Sequence, residues 1–180
     1  MSASKKKTVL RTVRLTRNLD ELIQKDAKEK NLSVNGLVNR IVTKYVEWDR
    51  YISKFGFISI ANETFQDILE QVDDEKIENI AKELGQQMPQ AVTLFWFKEL
   101  SLETFLKTIT LYSKYSGLHR IEIERDEDCV ITFHHNLGEK WSVFLRHFIS
   151  QFVESAVGVV PETKVLKSLM VARIPCKKQD

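Results

Sequence analysis

Five side chains in the second half of the chain could bind a metal or act in catalysis: His119, Cys129, His134, His135 and His147. Cys129 and His135 fall on the same face of a predicted strand, because alternate residues of a strand point the same way. Together with His147 from a predicted helix, they could hold a soft metal such as zinc or nickel. Their spacing matches no known zinc or nickel pattern, and we therefore predict no metal site and no bound cofactor.

The sequence carries no catalytic motif. A glycine-rich phosphate loop, a serine-centred nucleophile elbow and a paired-carboxylate motif are all missing from it. Cys129 is a weaker candidate for a nucleophile than for a metal ligand. We therefore predict that the protein is not an enzyme.

Composition indicates a folded protein of the cytoplasm. The 180 residues are 43% hydrophobic, which is enough for a packed core, and 29% charged. No apolar run reaches the roughly 18 residues that a membrane span needs, and the stretch Met1–Lys7 leads into no signal-peptide segment. Cys129 and Cys176 are too few for a disulfide framework. We predict a cytoplasmic protein with no membrane partner.

The charge is unevenly distributed along the chain. Residues 1–54 contain thirteen Lys or Arg and six Asp or Glu, a net charge of +7. Because the whole chain carries +2, the remaining residues carry −5. This asymmetry predicts that only the basic part, residues 1–54, binds a polyanion.

The basic part opens with a pattern of one strand and two helices. Residues Thr8 to Thr16 alternate, with Val9, Val13 and Leu15 on one side and Arg11 interrupting that apolar side. Asn18 and Ser33 are predicted to cap two amphipathic helices, the second of which extends towards Ile52. So small a unit cannot bury its apolar stripes alone, and its strand has no partner. A second copy of the chain would supply both, which predicts a homodimer.

This arrangement resembles the ribbon-helix-helix family of DNA-binding proteins, to which the Arc and methionine repressors belong. The residues that carry the resemblance are Thr12-Val13-Arg14-Leu15, the capped first helix, and Leu32-Ser33-Val34-Asn35 at the start of the second. The resemblance covers a little over a quarter of the chain, and its motif is short. It implies an antiparallel ribbon made by two chains, lying in the major groove of double-stranded DNA.

The resemblance also implies which residues contact DNA. Leu10, Thr12 and Arg14 would face the base edges, where Arg14 could contact a guanine and Thr12 or Leu10 a thymine methyl. The backbone amides of Ser33, Val34 and Asn35 would hold a phosphate at the start of the second helix. A basic arm would add phosphate contacts that carry no sequence information; it consists of Lys5, Lys6 and Lys7.

Residues 55–180 are predicted to form a second, α+β domain. Short apolar alternation predicts strands over Phe57–Ile60, a hairpin over 118–134 and a last strand over 168–174. Helical periodicity predicts five helices: one capped by Asn62, one opened by Asp73 or Asp74, one with Pro89 in its first turn, one capped by Ser101 and one that follows Gly138. The second of these is predicted to stop near Gly85, and the helix at Ser101 is predicted to lack a full capping box. The sheet is therefore small and antiparallel.

Aromatic residues are concentrated in this domain, on the helices that contain Trp96 and Trp141. Aromatic stripes at helical spacing usually pack in a core, and that is the favoured interpretation. The alternative is an apolar pocket for a small ligand, with His134 or His135 at its mouth.

The sequence therefore predicts a dimeric transcriptional regulator, a repressor or an activator, with residues 1–54 as the DNA-binding and dimerisation domain. Residues 55–180 would sense a small-molecule or protein effector, or would drive assembly into a higher oligomer. The alternative is an antitoxin-type autorepressor whose rear domain binds a protein partner. The operator sequence and the effector cannot be read from the chain.

Overall fold

The structure is a computed structural model that describes residues 8–175, apart from the side chain of Ser53. It divides into two compact units, the first ending at Tyr51 and the second beginning at Ile52. Helices dominate, and a single small antiparallel sheet accompanies them within the described residues. The predicted α+β class is confirmed.

Two amphipathic helices form the first unit. Helix α1 covers Arg17–Glu29 and helix α2 covers Val34–Lys44. A π-helical segment, Tyr45–Asp49, continues α2 into α3, Arg50–Phe55, which crosses the boundary between the units. The predicted cap at Ser33 is confirmed, since its Oγ accepts the amide of Gly36 at 3.0 Å.

The start of the first unit differs from the prediction. Helix α1 follows Thr16 rather than a cap at Asn18. The segment from Thr8 to Thr16 forms no strand in the single chain. A strand needs a neighbour for its N–H and C=O groups, and no described strand of this chain lies beside it. The predicted ribbon is thus not confirmed.

The second unit contains five helices after the boundary: α4 over Asn62–Glu70, α5 over Asp74–Met88, α6 over Phe95–Phe97, α7 over Leu102–Tyr115 and α8 over Gly138–Val157. A π-helical segment, Pro89–Leu94, joins α5 to α6. No helix among residues 8–175 has the length and apolar content to cross a bilayer.

Four strands complete the second unit: β1 over Arg120–Arg125, β2 over Asp128–His134, β3 over Glu162–Leu166 and β4 over Leu169–Pro175. They pair antiparallel in the order β1-β2-β4-β3. The predicted hairpin and last strand are confirmed, but β3 was not predicted. The predicted strand Phe57–Ile60 is wrong, because these residues join none of the four strands.

The core of the second unit lies between the sheet and α8. Alternate residues of the two central strands face inwards and are fully buried, in the pairs Cys129 with Ile174, Ile131 with Ala172 and Phe133 with Met170. The buried stripe of α8 includes Leu145, Ile149, Phe152 and Val153. Phe105 of α7 completes this core, with its ring 5.1 Å from that of Phe152.

One predicted helix end and one predicted helix cap in the second unit are wrong. Gly85 does not end a helix but lies buried inside α5, where it permits close packing on α8. Asn62 does not cap α4, because the cap position is Ala61. The side-chain Nδ2 of Asn62 instead donates a hydrogen bond to the backbone carbonyl of Gly117 at 3.5 Å.

The capping of α7 is also more complete than predicted. The Ser101 Oγ accepts the Thr104 amide at 3.3 Å, and the Thr104 Oγ1 accepts the Ser101 amide at 2.9 Å. Threonine thus fills the role that glutamate or glutamine usually has in a capping box.

Gly85→Ala should destabilise the second unit. A Cβ at this position would lie 2.5 Å from the carbonyl oxygen of Phe148 and 3.0 Å from the Cβ of Gln151. The two helices would have to move apart, at about 1–3 kcal/mol, which exceeds the roughly 1 kcal/mol gained in helix propensity. Urea unfolding of the full chain measures the change. The matched control, Gln86→Ala on the exposed side of α5, should change stability by less than about 0.5 kcal/mol.

Candidate functional sites

The residues predicted to contact bases lie together in the segment before α1. Leu10, Thr12 and Arg14 are all exposed there. The opposite side of the segment is exposed as well, since 72% of Val9 and 71% of Val13 remain accessible. In a single chain, therefore, the apolar and the polar side of this segment both face solvent.

The helices of the first unit leave much of their apolar surface exposed. Among its described residues only Ala27, Leu37 and Trp48 are buried apolar side chains. The exposed large apolar side chains of α1, α2 and the π-helical segment are Leu19, Leu22, Val34, Ile41, Val42, Tyr45 and Val46. These seven side chains leave the apolar side of the helices uncovered in a single chain.

The start of α2 presents backbone N–H groups that can donate hydrogen bonds to an anion. The first helical hydrogen bond runs from the amide of Leu37 to the carbonyl of Ser33 at 2.9 Å. The amides of Val34 and Asn35 precede that bond and point out of the helix end. The positive end of the helix dipole adds to their attraction for a phosphate. The Oγ of Ser33 accepts a hydrogen bond from the backbone N–H of Gly36.

Positive charge is available on the exposed segment. Exposed ion pairs neutralise helix charges in the described part of this unit, among them Arg17 with Glu21, Lys30 with Asp26 and Lys44 with Asp49. Arg11 and Arg14 join no ion pair within residues 8–175. The predicted arm of Lys5, Lys6 and Lys7 lies outside the described residues.

The three metal candidates do not come together. Cys129 is buried near the start of the central strand β2, whereas His135 follows its far end, roughly 20 Å along the strand at 3.3 Å per residue. His147 lies on α8, 3.7 Å from the carboxylate of Glu78. Among residues 8–175 no three His, Cys, Asp or Glu side chains are grouped to hold a metal ion.

His135 has a structural role instead. Its Nδ1 accepts the amide of Leu137 at 3.3 Å, so its Nε2 carries the proton and donates to the Oγ of Ser142 at 2.7 Å. The Ser142 hydroxyl in turn donates to the carbonyl of Leu166 at 2.6 Å. Burial, with a smaller effect from His134, lowers the pKa of His135 to about 4. A neutral histidine therefore ties β2, α8 and β3 together.

A cavity of about 310 Å³ lies within the second unit. Its walls come from α5, α7, α8 and β2, and include Leu84, Met88, Ile109, Tyr112 and Phe133. None of the side chains that line the cavity is Lys, Arg, Asp or Glu. Burial raises the pKa of Tyr112 above its usual range, so this phenol also stays neutral.

One wall of the cavity is a row of nearly parallel aromatic rings on α8. Trp141 and Phe144 stack with centroids 4.7 Å apart and planes 7° from parallel. Phe144 and Phe148 follow at 5.6 Å and 13°. The rings are three or four residues apart, which places them on one side of the helix. The rings therefore stack on one another, and their faces are turned largely towards each other.

His119 lines this cavity, as do the polar side chains of Thr108 and Tyr112. Both of its ring nitrogens are buried and have no hydrogen-bond partner within residues 8–175. Burial, with a smaller effect from His135, lowers the pKa of His119 to about 4, so the ring is neutral near pH 7. The indole N–H of Trp141 is likewise buried without a partner in this part of the chain.

The predicted positions of the histidines at the pocket were wrong. Both ring nitrogens of His135 are hydrogen-bonded, one to Ser142 and the other to Leu137. His134 lies at the end of β2, with its Nε2 3.5 Å from the carboxylate of Glu122. Neither lines the cavity, whereas His119 does. Strand parity could have indicated it, because His119 shares the inward side with Ile121 and Ile123 of β1.

Comparison with known proteins gives no further indication. No family model matches the chain, and neither a curated protein nor a solved structure resembles it closely enough to match.

The free energy of unfolding should fall as the pH is lowered from about 6.5 towards 4. In this window the unfolded chain protonates His119 and His135, whose ordinary pKa is near 6.5, but the folded chain does not. Within this window each histidine should lower the free energy of unfolding by up to about 1.4 kcal/mol for each unit that the pH falls. Above the window neither histidine lowers it. Urea unfolding at several pH values measures the slope, which His119→Phe and His135→Gln should each reduce. An unchanged slope in both variants would contradict the assignment of two buried neutral rings.

Proposed function

We propose that the protein is a homodimeric, sequence-specific DNA-binding regulator of transcription. The observation that supports this proposal best is the apolar surface of the first unit. Its two helices and the segment before them expose large apolar side chains that one copy of the chain does not cover. A second copy offers the same stripes, and two such units together can form a core that one cannot.

In the proposed dimer, residues 8–16 of the two chains pair as an antiparallel ribbon. Val9, Val13 and Leu15 would face the helices of both copies, and pairing would satisfy the backbone of the segment. Arg11 lies on this apolar side in the sequence pattern, near the start of the ribbon, where a long side chain can reach solvent. The other side would then carry Leu10, Thr12 and Arg14 outwards.

The outward side has the chemistry for a major-groove contact. A two-stranded ribbon fits the major groove, where a guanidinium can donate two hydrogen bonds to guanine and a threonine can contact thymine or hydrogen-bond a base. The amides of Val34 and Asn35 would bind a backbone phosphate, which fixes the ribbon in place. The net charge of +7 on residues 1–54 favours approach to DNA.

The antitoxin alternative is less well supported. An antitoxin of this type commonly binds its partner through an extended polar tail. Residues 52–175 instead form helices and a four-stranded sheet around a core of their own. A folded unit with an internal cavity fits a role as a sensor or an assembly domain better than a role as a wrapping tail.

The full chain should sediment as a dimer, and Leu15→Glu should convert it into a monomer. The substitution places a charge in the proposed shared core, which costs several kcal/mol. Sedimentation velocity at micromolar concentrations measures the change. Thr12→Glu is the matched control, because it adds the same charge on the opposite side of the segment and should leave the dimer intact. A folded wild-type monomer at all concentrations would remove the proposal.

Arg14→Ala should weaken binding to the preferred DNA site and relax the preference at one base pair. The loss of a guanine contact costs about 1–3 kcal/mol, or roughly 5- to 150-fold in affinity. The preferred site can be selected from a pool of random duplexes, and fluorescence anisotropy measures the affinity. Arg17→Ala is the control, since it removes an equal charge from an exposed pair on α1 and should lower affinity for all sequences alike. Equal base preference in both variants would show that the ribbon side is wrongly assigned.

A further inference from the structure

We propose that the cavity of the second unit binds an unbranched alkyl chain of about eight to twelve carbons, while the polar end of the ligand stays in water. This inference does not depend on DNA binding by the first unit, because every residue that it uses lies in the second unit. Four features support it: the apolar surface of the cavity, its volume, its extension along α8 and its opening to solvent.

The cavity presents almost no polar atom to a ligand. The ring nitrogens of His119, the indole N–H of Trp141 and the hydroxyl of Tyr112 are all buried in the surrounding protein and do not reach the open space. The hydroxyl of Thr108 donates to the backbone carbonyl of Thr104 at 2.9 Å. A polar group that entered would lose its hydration without gaining a partner. The part of the ligand inside the cavity is therefore hydrocarbon.

The volume of the cavity sets the number of carbons. An apolar cavity of about 150 Å³ in a protein core accommodates the six carbons of benzene. The volume here is about 310 Å³, roughly twice as large, and it lies at the lower end of the range of ligand pockets. By the same ratio the cavity has room for up to about twelve carbons.

The shape of the cavity favours a chain over a ring system. Helix α8 contributes lining residues from Trp141 to Phe152, a distance of roughly 16 Å at 1.5 Å per residue. Distributed over that length, about 310 Å³ gives a mean width of about 4–5 Å. A single alkyl chain fits this width, since carbon atoms in contact lie about 3.5–4.0 Å apart. Trp141 and Phe144 turn their ring faces towards each other, so a planar aromatic ligand would gain no stacking on this pair.

The cavity extends from the surface into the core. Phe57 and Leu84 line it and are also exposed, so the cavity reaches solvent beside them. Phe133, Ile149 and Phe152 line it as well and are completely buried. A chain can therefore insert its methyl end among the buried residues, and its polar end can remain hydrated at the opening.

A homologous series of fatty acids, from hexanoate to tetradecanoate, tests the proposal. Isothermal titration calorimetry with the full-length protein, below the micellar concentration of each probe, measures the affinity. The affinity should rise about fourfold with each added CH₂ and should level off near dodecanoate, when the cavity is full. Absence of saturable binding would overturn the proposal. So would an affinity that keeps rising to tetradecanoate, because a chain adsorbed on the surface has no length limit.

Two further probes test the position of the polar end and the class of ligand. Decanoate and 1-decanol should bind with affinities within about threefold of each other, because a head group in water contributes less than one hydrogen bond. Binding of 1-decanol alone would mean that the polar end enters the cavity, which contradicts the proposal. Naphthalene has as many carbons as 1-decanol in a rigid, planar form, and it should bind more weakly. If naphthalene binds as tightly, the cavity is an aromatic site and the proposal fails.

A pair of variants places the chain in the cavity. Leu84 and Ile80 are both partly exposed on α5, but only Leu84 lines the cavity. Leu84→Trp should lower decanoate affinity by about 10-fold or more, because losing room for two CH₂ groups is enough for that effect. Ile80→Trp should leave the affinity unchanged. Melting temperatures without the probe show whether each variant is folded. Equal affinities in these two folded variants would place the binding site elsewhere and overturn the proposal.

Discussion

A β-strand is stable only when its backbone groups meet those of a neighbour, and this requirement separates the two units of the chain. The second unit meets it internally, because β2 and β4 lie between β1 and β3 in one antiparallel sheet. The first unit contains one alternating segment and, among the described residues, no strand to pair with it. Its helices also lack apolar packing partners. They bury Ala27 and Leu37 but leave Leu22, Ile41 and Val42 exposed. The proposed second copy of the chain would supply a partner for the segment and would cover the exposed stripes.

In the second unit, close packing and incomplete packing occur on the same helix. Gly85 brings α5 against the backbone of α8 at Phe148, and the inward residues of the sheet pack on the buried stripe of α8. On the side of α8 that carries Trp141 and Phe144, the walls stay far enough apart to enclose the cavity. His135 satisfies all its hydrogen-bonding atoms between three elements, whereas His119 satisfies neither ring nitrogen within the described chain. The two buried neutral histidines thus differ: His135 links three elements through hydrogen bonds, and His119 makes no such link within the described chain.

The sequence predicted those parts of the fold that depend on local periodicity and capping. The hairpin of β1 and β2, the long helix α8 and the Ser33 cap all follow from patterns within a few residues. Strand β3 was not predicted, because Glu162–Leu166 is short and its identity depends on pairing with β4. Gly85 was wrongly predicted to end a helix. The reason for a glycine at this position is the close contact with the backbone of α8, which the sequence does not show. The cavity and His119 required the tertiary arrangement, in which side chains from α5, α7, α8 and β2 converge.

The central claim is that residues 8–16 become an ordered strand only when two chains meet. Amide hydrogen exchange of this segment in the full-length protein, followed over a range of protein concentrations, tests it most directly. The claim predicts slow exchange at high concentration, faster exchange as dilution separates the chains, and renewed protection when duplex DNA is added. The protection should alternate along the segment, because only every second residue of an antiparallel pair exchanges hydrogen bonds with its partner. Rapid exchange at every concentration, with and without DNA, would contradict it.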